Sequence, residues 1–260
     1  MNWDRPVHCK LSELSTFGAQ PGVMQLFYHP ELKTDQKSIT FDKTESRHIV
    51  RVLRMKEGDG LHVTDGRGYL YEAHISSASD KRCVAEISRT ESRPKPWKYH
   101  LHIAIAPTKM NERMEWFLEK ATEIGIDEIT PLLCEHSERK VVKTERLEKV
   151  MVSAMKQSLK FQLPRLNPPR SLEELLGEAR PGIGLIAHCG QGKKLSLKDM
   201  DPEINAITVL IGPEGDFSES EVDMALEHGY LPLDLGASRL RTETAGLVVC
   251  AEIAFLKEFS

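Results

Sequence analysis

No stretch of the 260 residues is apolar for long enough to cross a bilayer: the longest candidates, residues 207–211 and 246–256, are too short, and Glu252 interrupts the second. No transmembrane helix is expected. Positive charge is not in excess either, with 35 Lys plus Arg against 39 Asp plus Glu and a formal charge of -4. This excludes a generally basic, histone-like binder of nucleic acid and leaves room only for a local basic patch. Cysteine is scarce and unpatterned. The five residues, at 9, 83, 134, 189 and 250, are odd in number, form no CxxC pair and keep no regular spacing with the ten histidines. A disulfide framework and a zinc site are therefore not expected, and a reducing cytoplasm suits the chain. The amino terminus sets Asp4, Arg5, His8 and Lys10 ahead of Glu13 and builds no apolar segment of the secretory type, so a cytoplasmic location is expected. Low-complexity tracts and solenoid-range repeats are missing as well. What remains is ordinary globular composition, 40% hydrophobic and 28% charged, sufficient for one or two packed domains.

Residues 1–23 show neither helical nor alternating periodicity and end in the turn signal Gln20-Pro21-Gly22, so a flexible N-terminal extension is expected there. Between 24 and 93 the apolar runs are short and punctuated by turns. Residues 38–41, 60–64, 69–75 and 83–87 read as strands, Asp59-Gly60 and Asp65-Gly66 as turns, and the segment from about Thr44 to Met55 as one helix. This pattern predicts a small, mostly antiparallel β-barrel. Pro94 and Pro96 lie in a polar segment that favours an extended connection. Residues 97–260 then alternate in type, with strands at 101–106, 128–133, 184–188, 207–211 and 231–235 and helices at 111–124, 144–160, 218–228 and 243–257. That order predicts an α/β domain, a parallel sheet with helices on its faces. In its first helix Met114, Phe117, Leu118, Ala121 and Ile124 recur at three- and four-residue steps and form a single apolar face.

Ligands of a parallel sheet bind beyond the carboxyl ends of its strands, which singles out two loops. The first follows Ile211 and reads Gly212-Pro213-Glu214-Gly215-Asp216-Phe217, after which Ser218-Glu219-Ser220-Glu221 opens a helix with a capping box. Its glycines let the backbone approach a ligand, and the free amides of the helix start can meet a carboxylate or phosphate; a plain strand-to-helix turn is the alternative. The second follows Leu235 and reads Gly236-Ala237-Ser238-Arg239-Leu240-Arg241-Thr242-Glu243-Thr244-Ala245. A packed helix start does not need that density of charge and hydroxyl, although a solvated, capped terminus would also account for it.

The two loops together, near the carboxyl terminus, resemble those of the RsmE-type 16S ribosomal RNA uridine-N3 methyltransferases of the knotted SPOUT superfamily. The resemblance continues upstream through Lys109-Met110-Asn111-Glu112-Arg113-Met114-Glu115, Lys120-Ala121-Thr122-Glu123-Ile124-Gly125, Gln157-Ser158 with Pro164, and Arg47-His48-Ile49-Val50-Arg51-Val52-Leu53-Arg54, so that nearly everything from Met24 onward is covered. It implies an N-terminal PUA-like β-barrel followed by a SPOUT trefoil-knot methyltransferase domain. It also implies S-adenosylmethionine held by three loops, mapping onto the His188-Cys189-Gly190 region, onto Ile211 to Gly215, and onto Leu235 to Ala245, with His188, Gly190, Leu235, Gly236, Leu240, Arg241, Thr242, Thr244 and Ala245 the contacts implied within them. A homodimer with no metal, acting on 16S ribosomal RNA or the small ribosomal subunit, is implied too. The chain departs from the pattern where Asp216 replaces a second glycine and Lys156 replaces an acidic residue before Gln157-Ser158.

The chemistry implied is demanding, because uridine N3 carries a proton and is a poor nucleophile while neutral. Arg241 is the first candidate to stabilise the uridine anion across its flanking carbonyls, and Glu243 the first for base or orienter; a structural ion pair between the two is the alternative. For RNA binding, Arg47, Arg51 and Arg54 recur at i, i+4 and i+7, with Lys43 and Lys56 flanking and Val50 and Leu53 expected to face inward. Lys109, Arg113, Lys156, Lys160 and Arg165 would extend this basic stripe into the second domain, whereas a merely solvated helix face is the plain reading. Other features carry less. Cys189 beside His188 reads as inert packing at a buried strand end rather than a nucleophile, and Gly182-Ile183-Gly184-Leu185-Ile186-Ala187 fits a dinucleotide pattern but precedes its strand. His100 and His102 lack a third metal ligand in sequence. The competing functions are a non-catalytic RNA-binding ribosome-assembly factor and a nucleotide-phosphate binder; the second lacks the GKS or GKT ending of a P-loop.

Overall fold

The computed structural model describes residues 24–258, so the expected extension over 1–23 lies outside the described residues. The first body consists of β1 (Leu26–Tyr28), β2 (Ser38–Thr40), α1 (Lys43–Arg47), β3 (Gly60–Thr64), β4 (Tyr69–Ser77) and β5 (Val84–Ser92). Its strands run in the order β1-β3-β4-β5-β2, with β1 parallel to β3 and every other pairing antiparallel. Among the described residues the ladder ends at β1 and β2, so the mostly antiparallel barrel read from the sequence takes the form of a half-barrel. Phe27, Ile39, Val63, Tyr71, Ala73 and Ala85 turn to its interior. The Asp65-Gly66 signal is a real turn: Gly66 has φ 72°, and the Asp65 carboxylate accepts hydrogen bonds from the Arg67 and Tyr69 amides at 2.8 and 3.3 Å.

The helix expected from Thr44 to Met55 is real but not regular. Asp42 caps α1 by accepting from the Glu45 amide at 2.7 Å, and the chain then widens into a π-helical turn, His48–Val52. Arg54, at φ 56°, ends it. Ile49 is the residue sealed in the core, with Val50 and Leu53 packed more loosely against it and Val52 67% exposed. The widened turn alters the phase of the stripe, so Arg47, Arg51 and Arg54 are all exposed without lying on one α-helical face.

The second body comprises β6 (His100–Ile105), α2 (Asn111–Ile124), β7 (Glu128–Leu133), α3 (Thr144–Gln157), β8 (Arg165–Leu166), β9 (Arg170–Ser171), α4 (Leu172–Leu176), β10 (Ile183–Ala187), β11 (Leu195–Ser196), β12 (Ala206–Ile211), α5 (Glu219–Glu227), β13 (Tyr230–Asp234) and α6 (Thr242–Glu258). All its pairings are parallel, in the order β11-β13-β10-β12-β6-β7-β8, with β9 also on β7. The central strands read as unbroken apolar runs because both faces are covered. On one face Leu101, Ile103, Ile105, Leu185 and Val209 meet Phe117 of α2 and Val249 and Ile253 of α6. On the other, Ala104, Leu132, Ile186 and Leu210 meet Leu172 and Leu175 of α4 and Ala225 of α5. The predicted face of α2 is buried at Met114, Phe117, Leu118 and Ala121. Helix α3 stops short of the expected Lys160 because Ser158 turns its hydroxyl back onto the Ala154 carbonyl at 2.7 Å and Leu159 takes φ 52°.

The bodies are joined by more than their connection. After α3 the chain lays residues 159–163 on the Asp65-Gly66 turn, with the Gly68 amide donating to Phe161 O and the Leu163 amide to Gly66 O, both at 2.8 Å. The extended connection is itself anchored on Asp127, which accepts from Lys95 Nζ, Trp97 Nε1 and the Leu101 amide.

Gly246, inside α6, shows how closely the layers meet. A Cβ there would come within 2.7 Å of the Phe117 ring and 3.0 Å of Ile105 Cδ1, both fully buried. A mid-helix glycine costs about 1 kcal/mol relative to alanine, and here the close approach of α2 accounts for it. Gly246→Val is therefore expected to lower unfolding stability by about 2 kcal/mol through overpacking. Urea denaturation would measure the loss, and an undiminished midpoint would contradict the packing described.

Candidate active site

Strands β12 and β13 flank β10 in parallel register, Ala187 pairing with Ile211 on one side and Leu233 on the other. Their following loops consequently leave the sheet side by side and enclose a cavity of about 730 Å³. From the first two loops His188, Ile211, Gly212, Pro213 and Glu214 line it, as the sequence suggested. From the third come Leu235, Gly236, Leu240, Arg241, Thr242 and Ala245. Three expected residues do not line it. Gly190 supports the wall by donating its amide to His188 Nδ1 at 3.1 Å, Gly215 packs where a Cβ would lie 3.1 Å from His136, and Thr244 starts the body of α6. Sequence reasoning missed Ala187, Lys194, Asp216, Leu233 and Asp234 as lining residues. Asp216 alone had left a signal, as a departure from glycine.

The walls are tied to each other by hydrogen bonds. Thr242 Oγ1, buried at the head of α6, donates to Gly212 O at 3.0 Å and links the third loop to the second. Asp216 accepts from the Cys189 amide at 2.7 Å and links the second loop to the first. The predicted capping box forms at the start of α5: Ser218 Oγ accepts from the Glu221 amide, and Glu221 Oε2 accepts from the Ser218 amide at 2.9 Å. Glu221 also accepts from the Glu135 amide at 2.8 Å, so the capping carboxylate is buried and shared with the loop after β7. Gly212 has no room for a side chain, since a Cβ would meet the Phe217 ring at 3.0 Å.

His188 is kept neutral. Burial holds its pKa below the ordinary value and the Lys194 ammonium pushes it further down, against the opposing pull of Asp216. Because Nδ1 accepts the Gly190 N–H, the proton resides on Nε2. Cys189 corrects an expectation: it is exposed on the cavity rim instead of packed at a buried strand end. Burial of its thiol group and the neighbouring Asp216 carboxylate raise its pKa, so it is a thiol and not a thiolate.

The two catalytic candidates separate. Arg241 is exposed on the cavity wall, whereas Glu243 is buried and turns away from the cavity toward α2, where Oε1 lies 3.8 Å from Arg113 Nε. The Arg241–Glu243 ion pair weighed from the sequence does not form, because residues two apart on a helix point to nearly opposite sides. The second carboxylate oxygen of Glu243 is buried without a hydrogen-bond partner.

Among the basic candidates, Arg51 presents a fork held by Asp80, whose Oδ2 accepts from Nε and Nη2 at 2.9 and 2.8 Å. Hydrogen bonding and the charge of Arg51 hold the Asp80 carboxyl below its usual range. Lys109 places its amide 3.2 Å from Glu214 Oε1, beside the cavity, and its ammonium on Glu138. Lys156 has a different task from the one expected: its half-buried ammonium is bound to Glu45 at 3.3 Å and lies over the Phe27 ring, so it ties the two bodies together. His102 Nε2 pairs with Thr130 Oγ1 at 2.8 Å, and no group of His, Cys, Asp and Glu suited to a metal occurs among the described residues.

The parallel α/β body with its loop-walled cavity and the half-barrel joined to it are, by the family models they match, the two parts of an RNA methyltransferase carrying a PUA domain. Models described as an RNA methyltransferase domain and an RNA methyltransferase PUA domain match residues 95–254 and 41–88. The chain belongs to the ribosomal RNA small subunit methyltransferase E family. It is 30% identical over 222 residues to that protein of Buchnera aphidicola subsp. Acyrthosiphon pisum, covering 82% of this chain and 87% of the relative. Against the Bacillus subtilis protein it is 28% identical over 250 residues, covering 89% and 96%. Among solved structures, a probable rRNA-methyltransferase from Porphyromonas gingivalis superposes with a TM-score of 0.84 at 44% identity, covering 91% of this chain and 99% of that one. Ribosomal RNA small subunit methyltransferase E from Neisseria gonorrhoeae, bound to S-adenosyl methionine, gives 0.82 at 27% identity, covering 92% and 100%. The expected fold, a SPOUT methyltransferase domain preceded by a PUA-like domain, is the one observed.

Thr242→Val keeps the shape of that side chain and deletes the donor to Gly212 O. With a buried carbonyl left unpaired, unfolding stability is expected to fall by about 1–2 kcal/mol, while Thr242→Ser retains it. Equal denaturation midpoints for Val and Ser would show that the link between the loops carries no energy.

Proposed function

We propose that this protein transfers the methyl group of S-adenosylmethionine to N3 of a uridine in 16S ribosomal RNA. The observation that carries the reading is the three-loop cavity, built from the two motifs that resemble the family and belonging to a chain whose relatives are small-subunit ribosomal RNA methyltransferases. Its volume of about 730 Å³ suits a cofactor of that size. Apolar Ile211, Leu235 and Leu240 line it together with the backbone of Gly212 and Gly236, a mixed lining that suits an adenosyl group and an amino-acid tail. The bound cofactor supplies an electrophilic methyl on a sulfonium.

The rest falls to side chains. Loss of the N3 proton to solvent water leaves an anion spread over the flanking carbonyls, and Arg241, exposed on the wall, is suited to balance that charge. Glu243 is better suited to orienting Arg113 than to taking the proton itself, because its carboxylate faces α2 and not the cavity. The half-barrel body, residues 24–93, serves RNA recognition and residues 97–260 carry out transfer. Exposed Arg47, Arg51 and Arg54 would meet phosphates, continued by Arg113 and by Lys109, whose amide lies beside the cavity at Glu214. The protein acts as a homodimer in the cytoplasm; Phe255, 64% exposed on α6, is the kind of apolar surface a second copy would cover.

The deciding experiment is methyl transfer from labelled S-adenosylmethionine to small ribosomal subunits lacking the modification, followed by nucleoside mass analysis. 3-Methyluridine is expected, with Arg241→Ala slowing its formation by roughly 10²-fold or more. Binding of cofactor and RNA without methyl transfer would replace this reading with that of a non-catalytic assembly factor. The double variant Arg51→Glu with Arg54→Glu is expected to weaken RNA binding roughly tenfold or more while leaving cofactor affinity intact. Unchanged RNA affinity in a salt-controlled binding assay would remove these arginines from the interface.

A further inference from the structure

Asp216 stands in a conformation that most side chains avoid. Its φ of 64° lies in the left-handed region, where a Cβ crowds the neighbouring carbonyl oxygen at a cost in free energy. Glycine would remove that cost, so a gain specific to this side chain should offset it. The contacts supply one. Oδ2 accepts the Cys189 amide at 2.7 Å, across a sequence gap of 27 residues, while Oδ1 accepts the adjacent Phe217 amide at 2.9 Å. The Asp216 carbonyl in turn accepts from His136 Nδ1 at 3.1 Å, in the loop that follows β7. Three segments therefore meet at this residue, and the two it joins by its carboxylate are both cavity walls, since His188, Cys189 and Asp216 all line the space.

We propose that Asp216 is a positioning residue, a latch that fixes the loop after β10 against the loop after β12 and so sets the cofactor cavity in its binding shape before the cofactor arrives. The proposal rests on the reading of this cavity as the S-adenosylmethionine site. Charge-assisted hydrogen bonds to backbone amides are the stronger kind, and a short glycine-containing segment such as Cys189-Gly190 has most to gain from them. Ordering such a segment costs conformational entropy, and a cavity already ordered does not subtract that cost from binding. The raised pKa of the Cys189 thiol, to which the Asp216 carboxylate contributes after burial, reflects the same proximity. Asp216 touches no reacting atom in this account; it acts through the loop that it holds.

The test uses the full chain with Asp216→Gly and Asp216→Asn. Glycine suits the left-handed backbone but deletes the latch, so relief of strain and loss of hydrogen bonds nearly cancel in overall stability. Asparagine keeps an acceptor for the Cys189 amide but turns its NH₂ toward the Phe217 N–H, donor against donor. Expected for Asp216→Gly is a rise of about tenfold in the Kd and KM for S-adenosylmethionine, with kcat at saturating cofactor changed by no more than about twofold and KM for RNA unmoved. Asp216→Asn should fall between glycine and the unaltered protein. Cofactor affinity in Asp216→Gly equal to that of the unaltered protein would overturn the positioning role. A second measurement needs no cofactor: the rate constant per thiolate, taken from the pH dependence of the rate, at which iodoacetamide alkylates Cys189 in ligand-free protein, read by peptide mass. Breaking the latch should speed it several-fold, and an equal rate in Asp216→Gly would overturn the latch itself. Failure of the unaltered protein to bind S-adenosylmethionine would instead overturn the cofactor reading, with the alkylation rates still deciding whether the loops are latched.

Discussion

Everything at the active edge depends on β10 having β12 on one side and β13 on the other, all parallel. Parallel pairing directs the carboxyl ends of neighbouring strands to the same edge, so the loops that follow have no choice but to leave together. Chain order makes the arrangement unusual. β13 comes after β12 in sequence yet lies beyond β10 in space, so the segment that contains α5 must carry the chain across β10. The cavity is the gap left where those three exits crowd one another, and Thr242 and Asp216 are the hydrogen-bonded ties that keep it from closing or splaying.

The apolar layers make that edge rigid. On the face covered by α2 and α6, branched residues from β6, β10 and β12 fill the space, while the opposite face uses small Ala104 and Ala106 so that the short α4 and α5 can approach. Gly246 belongs to the same requirement, since α6 can bring Thr242 to the cavity only if its middle lies flat on Phe117. Core packing and site geometry are therefore one constraint: the helix whose first turn lines the cavity is held by the residues it buries further along.

Much of this was legible in the sequence because it is local. The face of α2 shows as a three- and four-residue repeat, the capping box at Ser218 and Glu221 as a spacing, and the Asp65-Gly66 turn as a dipeptide; the structure realises each through bonds that span a few residues. The two-residue strands β8, β9 and β11 left no trace, being shorter than any periodicity. The expected helix through Arg54 was right in place and wrong in kind, because a π-turn differs from an α-turn by a shift of one hydrogen-bond partner that composition does not encode.

By itself the sequence determined the α/β alternation, four of the five half-barrel strands, the two loop motifs and the family they resemble, since each is written in residue types at fixed short spacing. Tertiary structure alone decided which side chains meet. Glu243 went to Arg113 and away from Arg241, Lys156 went to Glu45 and Phe27 at the junction of the bodies, and Cys189 emerged at the cavity rim against Asp216. These partners are 27 to 130 residues apart, as 216 is from 189 and 243 from 113. Their pairing follows from strand order and helix orientation, quantities fixed by how the whole sheet satisfies its backbone and buries both faces, and no local spacing carries them.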